Sequence, residues 1–481
     1  MNIVTLLEGL VNGLIEAEDK FYQNPKDFYS LETSVKATTE AFSAAFLSNA
    51  LDSMNQKIYE DGWRKGKYTA QRTDKRTLIS SVGDITFNST YYRGVEDEKH
   101  HYLIEEILGL DAHERFTEEA EEILLTEALK NSYSEAARKL PSKQKITKTT
   151  VMNKVHRIAE ELPVIKPEEK KSCKYLFIEA DEDHVAEQHG RWSAKEENGS
   201  FISRLAYVYE YKQECKTCKR RKELVNTFYF GGVYAGSEGI ERFWNKVGDF
   251  IYETYEADDI KRIFISGDGA AWIKSGAKYL DKALFCADKF HMMKYIHAAS
   301  NQMLEEKDIA KQNLYRLLHE RDKEGFEMYT NEMLFSAENQ EPIQSLQRYV
   351  LGNWAGVMRT YHSKVVEGCS AESHVSHVLS DRLSSRPMGW SQTGADRMSK
   401  LRCYEKNCGR EKIIDLVRYS RQQRKLARTG TDNIEAVKVS LREIRAEHYD
   451  QAKSYIERIQ AAIPYGTVRK IASIREQIKL I

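Results

Sequence analysis

Two apolar segments of the chain each end in acidic side chains. They read YLFIEADED at 175–183 and RIFISGDG at 262–269. Both are rich in β-branched or aromatic residues, which predicts strands, and a strand end presents its side chains to a ligand rather than to the core. Acidic oxygens gathered from two neighbouring strand ends bind Mg²⁺ or Mn²⁺. The pattern therefore indicates metal-assisted phosphoryl chemistry, with nucleic acid as the first substrate class to consider.

Asp181 and Asp268 are the carboxylates that we expect at the ends of these two strands. A site for two metal ions about 3.5–4 Å apart needs more than two carboxylates. Glu372 is the best third candidate, because Ser370 is placed to cap a helix whose first turn contains Glu372. Each acid also has a plainer interpretation, as a turn residue after a strand or as a complement to a helix dipole. Three neighbours compete with Asp181 for the first position: Glu179, Glu182 and Asp183.

The residues between 172 and 290 alternate β-rich and helical patterns, which predicts a mixed α/β sheet. A helix is expected at about 238–254, with Ile240, Phe243, Val247 and Ile251 on one side. Long helices follow at 291–360, with Ile343, Leu346, Val350 and Trp354 forming an apolar stripe, and the last eighty residues also have a helical pattern. Strands are expected near 174–180, 202–211, 225–233, 262–266 and 283–287.

The N-terminal region combines helices over 1–60 with a candidate β-hairpin. Val82 and Ile85 flank Gly83 and Asp84, which form a two-residue turn of the type that begins with glycine. The hairpin is either a small structural element of the fold or a wing that contacts DNA.

A basic segment at 136–158 contains seven Lys or Arg and no Asp or Glu. Ser132 and Glu135 have the spacing of a capping box, and Thr147 is placed to cap a second helix. Two short helices with a one-signed outer face predict a helix-turn-helix, whereas the plainer interpretation is a solvated pair of helices. Residues 418–428 form a second basic segment without an acid. The candidate DNA-binding residues are Arg138, Lys139, Lys143, Lys145, Lys148, Lys154, Arg157, Arg421 and Arg424.

Composition limits the class of protein. A chain of 481 residues with 30% charged and 41% hydrophobic residues is expected to form a few globular domains. The formal net charge of +0 argues against a uniformly basic surface, but not against local basic patches. The N-terminus lacks the basic region of a signal peptide, so we expect no membrane span, and seven scattered cysteines are expected to be reduced thiols in a cytoplasm. Cys215 and Cys218 have the spacing of a zinc site, which stays an open alternative.

Several motifs together resemble bacterial insertion-sequence transposases, and the ISLre-two family of DDE transposases in particular. They are GDGAAW at 267–272, DKFH at 288–291 and AESHVSHVLSDRLSSRPMGWS at 371–391, in addition to the acidic first strand. The longest of these motifs is the most specific one. The resemblance covers nearly the whole chain.

The resemblance implies an RNase H-like catalytic domain with a helical insertion. It implies that Asp181, Asp268 and Glu372 are the catalytic triad that binds two Mg²⁺ or Mn²⁺ ions, and that Asp288 and His291 support the site. It further implies DNA as partner, at transposon ends and at the target, and a homodimer or higher oligomer in a bacterial nucleoid. Two alternatives remain, an RNase H-like nuclease and a silent DNA-binding regulator. The expected segments are 1–110 with the hairpin, 111–165 with the helix-turn-helix, 170–298 and 365–400 with the catalytic core, 299–364 with the insertion, and 401–481 with C-terminal helices.

Overall fold

The computed structural model describes residues 3–111, 113–163, 166–188, 199–215, 222–386, 388–426, 445 and 448–458. The chain forms two compact units. Unit 1 consists of Met1–Lys154 and Val417–Ile481, and unit 2 consists of Val155–Leu416. The described residues after 416 therefore belong to the same unit as the N-terminal region. The helices expected over most of 427–481 lie outside the described residues.

Unit 1 contains a three-stranded antiparallel sheet in the order β1-β2-β3, and helix α2 packs on β2. Its core includes Ile58 from α2, Ile85 and Phe87 from β2, and Ile104 from α3. The elements are α1 (Ile3–Gln23), α2 (Phe28–Glu60), β1 (Tyr68–Ser80), β2 (Gly83–Gly94), β3 (His100–Tyr102), α3 (Leu103–Leu108), α4 (Glu118–Ala128), α5 (Tyr133–Ala137) and α6 (Lys148–His156).

The predicted hairpin exists, but its turn lies two residues earlier than expected. Ser80 pairs with Gly83, so the turn residues are 81 and 82, and Asp84 already pairs with Ile79 in the ladder. Gly83 begins β2 with a φ of +126°, a conformation that glycine adopts without strain. The carboxylate of Asp84 accepts from Ser142 Oγ at 2.6 Å, so it holds the segment before α6 instead of forming the turn.

The two short helices of the basic segment begin as predicted. Ser132 and Glu135 form the capping box of α5, and Thr147 Oγ1 accepts from Thr150 N at 3.2 Å at the start of α6. The connection between α5 and α6 spans residues 138–147. It is longer than the three- to four-residue turn of a helix-turn-helix.

Unit 2 is built on a mixed five-stranded sheet in the order β10-β9-β4-β5-β8. Strand β4 is antiparallel to β5 and parallel to β9, which is parallel to β10, and β5 is antiparallel to β8. This confirms the predicted mixed sheet and the approximate positions of its strands. The strands are β4 (Tyr175–Ala186), β5 (Ser200–Tyr209), β6 (Tyr211–Glu214), β7 (Lys222–Val225), β8 (Phe228–Gly232), β9 (Arg262–Gly267) and β10 (Ala283–Ala287), with β6 and β7 forming a separate two-stranded sheet.

Strand β4 differs from the prediction in its length. It continues to Ala186 instead of ending near 180, so Asp181 lies inside the strand and pairs with Leu205 of β5. On the other side of β4, the last pair with β9 joins Glu179 to Ser266. Asp181 therefore lies just beyond the end of its parallel neighbour, although not at the end of its own strand.

Helices surround the sheet of unit 2 and share one apolar core with it. Phe243, Val247 and Ile251 of α7 are buried as predicted, as are Ile343 and Val350 of α12. The helices are α7 (Gly236–Thr254), α8 (Ala271–Tyr279), α9 (Lys289–Ser300), α10 (Lys307–Glu320), α11 (Lys323–Ser336), α12 (Glu341–Gly352), α13 (Trp354–His362), α14 (Ala371–Val375), a π turn (Ser376–Ser380), α15 (Asp381–Leu383), α16 (Gln392–Cys408) and α17 (Ile413–Leu426), the last of which continues into unit 1. Among the described helices, none has the length and apolar composition that crossing a bilayer requires.

Candidate active site

Three neighbouring parallel strands bring an aspartate to the same edge of the sheet in unit 2. Asp181 lies in β4, Asp268 directly follows β9, and Asp288 directly follows β10. The backbone N–H of Asp288 donates to the carbonyl of Gly267 at 2.9 Å, which fixes the ends of β9 and β10 beside each other. Carboxyl ends of parallel strands are where α/β sheets bind ligands.

Glycines on both sides of Asp268 allow the backbone to approach its neighbours. A Cβ at Gly267 would lie 2.7 Å from the carbonyl oxygen of Ala180 in β4, too close for any other residue. Gly269 has a φ of +94°, and Asp268 Oδ1 accepts from Ala270 N at 2.9 Å to close the turn into α8. This turn holds the carboxylate of Asp268 beside β4.

The carboxylates of Asp181 and Asp268 repel each other. Burial raises the pKa of Asp181 to about 6, and the charges of Asp268 and Glu182 act in the same direction. The opposing contributions are a hydrogen bond from Glu182 N, at 2.8 Å, and the charge of His291. A pair of acids that is costly to ionise together is stabilised by a cation placed between them.

Asp288 and His291 form a hydrogen-bonded pair beside these acids. Asp288 is buried at the start of α9, where Oδ1 accepts from Phe290 N at 2.9 Å and Oδ2 from His291 Nδ1 at 2.7 Å. That hydrogen bond raises the pKa of His291 above its ordinary value, and the charges of Asp268 and Asp181 raise it further against the effect of burial. The surroundings of His291 therefore favour its protonated form more than water does.

Glu372 differs from these aspartates in its exposure to solvent. It lies in α14, which packs against β4 through the buried Ala371 and Val375, but its own side chain is exposed. The helix begins after Ser370 as predicted, yet the Ser370 side chain makes no capping hydrogen bond. Within the described part of the chain, no group of three or more His, Cys, Asp or Glu side chains is placed to hold a metal ion.

Glu179 is a buried acid that the sequence analysis treated only as an alternative to Asp181. Its two oxygens accept from Tyr207 Oη at 2.5 Å, Tyr209 Oη at 2.8 Å, Lys212 Nζ at 2.8 Å, and both Ser370 N and Oγ at 2.5 and 2.9 Å. Burial alone raises the pKa of Glu179, but the Lys212 ammonium and the hydrogen bonds hold it below the ordinary value. The carboxylate is therefore ionised and fully used in contacts within the protein.

The oxygen ligands available at this edge fit Mg²⁺ or Mn²⁺ in part. Asp181 and Asp268 supply hard carboxylate oxygens, and their repulsion favours a divalent cation. Asp288 is a weaker candidate, because both of its oxygens already accept hydrogen bonds. A complete set needs a further ligand, and Glu372 is on the neighbouring helix.

The structure corrects two of the predicted DNA-binding residues. Lys154 is buried and donates to Glu114 at 2.6 Å and Glu121 at 3.0 Å, and Arg421 is buried and donates to Glu121 at 2.6 Å. Both side chains form ion pairs inside unit 1. The sequence pattern does not show that Glu114 and Glu121 pack against them, and the prediction was wrong for this reason. Arg424 is half-buried, with Nε 3.6 Å from Asp111. The remaining six are exposed: Arg138, Lys139, Lys143, Lys145, Lys148 and Arg157.

The cysteines give no support for a zinc site within the described residues. Cys173, Cys215, Cys403 and Cys408 are thiols there, and no cluster of ligands includes them. Cys218 lies outside the described residues.

Comparison with known families assigns the chain. The family described as "Uncharacterised protein family (UPF0236)" matches residues 22–423. The chain belongs to the UPF0236 family. A UPF0236 protein of Caldanaerobacter subterraneus subsp. tengcongensis is 34% identical over 390 residues, which is 80% of this chain and 79% of that relative, and its name joins eleven locus labels. A second UPF0236 protein of this strain is 34% identical over 382 residues, covering 79% of this chain and 74% of that relative.

One solved structure is also similar, the Drosophila P element transposase strand transfer complex. It shares 10% sequence identity over 73% of this UPF0236 chain and 88% of that chain, with a TM-score of 0.22. At this TM-score the similarity carries no argument about fold or function.

The shifted pKa of Asp181 predicts a change in how stability depends on pH. Its ordinary pKa of 3.8 rises to about 6 in the folded protein, so the stability it contributes is complete below 3.8 and is lost as the pH rises through 6. Asp181→Asn lacks this loss. Between pH 4.5 and 8 in EDTA, the variant should therefore gain stability relative to wild type: its free energy of unfolding minus that of wild type should increase by about 1–2 kcal/mol after screening. Urea unfolding measures this, and parallel curves for the two proteins would contradict the assignment.

Proposed function

We propose that this UPF0236 protein is a DDE-type DNA transposase, which cuts DNA at the ends of an insertion sequence and joins the freed ends to a target. The observation that carries this proposal is the pair of mutually repelling carboxylates, Asp181 and Asp268, at the carboxyl edge of adjacent parallel strands. Two divalent ions held by such oxygens can stabilise both the attacking and the leaving oxygen in phosphodiester cleavage and transesterification. Active sites of this chemistry require no covalent bond between protein and DNA.

The proposed roles divide among the residues of this edge. Asp181, Asp268 and Glu372 would hold two Mg²⁺ or Mn²⁺ ions, which would lower the pKa of a water molecule and stabilise the leaving 3′-oxygen. Asp288 orients His291, and the hydrogen bond between them raises the pKa of His291, which favours a positive charge beside the two aspartates. Glu372 must turn towards Asp181, from an exposed position on a helix that already packs against β4.

The proposal includes an RNase H-like core. Its support is the topology of unit 2, in which three antiparallel neighbours in the sheet, β4, β5 and β8, are followed in the chain by β9 and β10, both parallel to β4. The helices α10 to α13 then form the insertion before the segment that carries Glu372.

The family gives independent support for movement of the gene within a genome. The name of one relative joins eleven locus labels in a single strain, as expected of a sequence that has been copied to many positions in a genome. The exposed basic residues of 138–157 supply a surface for DNA phosphates. Because two DNA ends must be joined, we also propose a homodimer or higher oligomer.

A cleavage and strand-transfer assay tests the function. The full-length protein is incubated with DNA carrying the ends of its native element and a target plasmid, with Mg²⁺ or with EDTA. A transposase gives cuts at the element ends and joined products only with Mg²⁺. Cleavage without joining would support the RNase H-like nuclease instead, and binding without cleavage would support the DNA-binding regulator.

If the exposed basic residues contact DNA phosphates, they contribute to the salt dependence of DNA binding. Replacing Arg138 and Lys139 together by Ala should weaken DNA binding and reduce the slope of log K against log salt concentration by about 2, because each phosphate contact contributes about 0.9. Fluorescence anisotropy at several salt concentrations measures the slope. Lys36→Ala is the matched control, since Lys36 is an exposed lysine of unit 1 outside the basic segment. An unchanged slope in the double variant would exclude these two side chains from the interface.

A further inference from the structure

Strand β4 carries three acids on one face. Glu179, Asp181 and Asp183 alternate along the strand, so all three side chains project to the same side of the sheet. Ile178 and Ala180 of the same strand face the other side of the sheet and belong to the apolar core with α7 and α8. The acidic face is covered by the segment 370–384, which contains α14, the π turn and α15.

The first acid holds the beginning of that segment. Glu179 Oε2 accepts from both the backbone N–H and the hydroxyl of Ser370, immediately before α14. Lys212, whose ammonium is 2.8 Å from Glu179 Oε1, also donates to the carbonyl of Gly368. One buried ion pair therefore binds the chain on both sides of Cys369, three residues before Glu372.

The third acid holds the other end of the segment. Asp183 is buried, and its Oδ1 accepts from Ser380 Oγ at 3.0 Å and from Ser384 Oγ at 2.8 Å. The segment therefore runs along β4 from Glu179 to Asp183. The middle acid, Asp181, makes no such hydrogen bond to the segment among the described residues.

The π turn between these two attachments has its own support. Arg402 of α16 is buried and donates through Nη2 to the carbonyl of His377 at 2.6 Å and through Nε to that of Val378 at 2.5 Å. A π turn widens a helix and disturbs its regular hydrogen bonds, and such turns occur often at functional sites. The guanidinium thus stabilises an irregular turn directly after α14.

We propose that Glu179, Asp183 and Arg402 are positioning residues, which dock residues 370–384 along β4 so that the exposed side chain of Glu372 could turn to a metal ion held at Asp181. This inference rests on the proposed function, because it assigns Glu372 a role at that site. The two outer acids of this face, Glu179 and Asp183, form hydrogen bonds with residues 370–384. The middle acid, Asp181, would then be available to a metal ion. Loss of the hydrogen bonds from Ser370 to Glu179 would free the start of α14 and change the distance between Glu372 and Asp181.

The first test measures docking without activity. Hydrogen exchange of the metal-free, full-length protein is followed by mass spectrometry in Glu179→Gln and Asp183→Asn. Amides in peptides covering 371–384 should exchange at least about 10-fold faster than in wild type, while peptides from β9 remain unchanged. Ser373→Ala is the matched control, because Ser373 is an exposed serine of the same helix. Wild-type exchange over 371–384 in both variants would overturn the proposal.

The second test separates positioning from simple stabilisation. Glu179→Gln should raise the Mg²⁺ concentration for half-maximal cleavage at least about 10-fold, with DNA binding in EDTA unchanged. The double variant Glu179→Gln/Lys212→Met removes both buried charges, so it should recover thermal stability and still need more Mg²⁺. A wild-type Mg²⁺ curve in the stable double variant would show that Glu179 only stabilises the fold.

Failure of the proposed function gives a different result. If Glu372→Gln cleaves DNA with a wild-type Mg²⁺ curve, Glu372 is not a ligand, and the role of the three residues towards the metal is overturned with it. If wild type does not cleave DNA at all, the proposed function fails, and the exchange measurement alone decides whether Glu179 and Asp183 dock residues 370–384.

Discussion

Asp268→Asn is expected to lower Mg²⁺-dependent cleavage of element-end DNA by roughly three orders of magnitude. Asp268 is held beside β4 by the turn of Gly269 and the hydrogen bond from Ala270 N, so an amide at this position keeps the local structure but removes one negative charge. Metal ions supply several kcal/mol of charge stabilisation in the transition state, and about 1.4 kcal/mol corresponds to a factor of ten in rate. Single-turnover cleavage with labelled DNA measures the loss.

The control for this variant is Asp258→Asn, an exposed aspartate in the connection that precedes β9. It should cleave at the wild-type rate. DNA binding in EDTA should be the same for both variants and wild type, because the acids of the site make no favourable contact with phosphate in the absence of a cation. A nicking rate for Asp268→Asn within tenfold of wild type, at saturating Mg²⁺, would remove Asp268 from the ligand set.

The strands of unit 2 could be predicted because each is a short β-rich run bounded by polar residues. The length of β4 could not. Asp181, Glu182 and Asp183 have low strand propensity, and local sequence therefore indicates that the strand ends before them. In the structure, the antiparallel ladder with β5 continues through Ala186, and this pairing outweighs the local preference.

The same limitation explains why the sequence does not predict Glu179 as a buried carboxylate that holds Ser370. Its hydrogen-bonding partners come from β5, β6 and the residue before α14, and Ser370 is 191 positions away in sequence. A single sequence shows three alternating acids, but it does not show which of them meets protein and which meets ligand. The alternation of a strand places Asp181 and Asp183 on one face, whereas the division of roles depends on the segment that covers that face.

Lys154→Ala is expected to destabilise unit 1 by about 3–5 kcal/mol, because it leaves the buried carboxylate of Glu114 without its hydrogen-bonded cation, whereas Glu121 keeps Arg421. Lys154 is 2.6 Å from Glu114 and 3.0 Å from Glu121, and all three side chains are buried. Burial raises the pKa of Glu114, whereas the charge and hydrogen bond of Lys154, with Arg421, bring it below the ordinary value, so removing Lys154 should raise this pKa. Thermal and urea unfolding of the full-length protein measure the loss.

Lys148→Ala is the matched control, since it lies in the same helix and the same basic segment but is exposed. It should change the free energy of unfolding by less than about 0.5 kcal/mol. The two lysines are indistinguishable in the sequence pattern, and only the packing of Glu114 and Glu121 against α6 separates an internal ion pair from a surface charge. Equal stability of the two variants would place Lys154 back on the exposed basic face. A large loss for Lys154→Ala alone would restrict the DNA-binding surface to the exposed members of the segment.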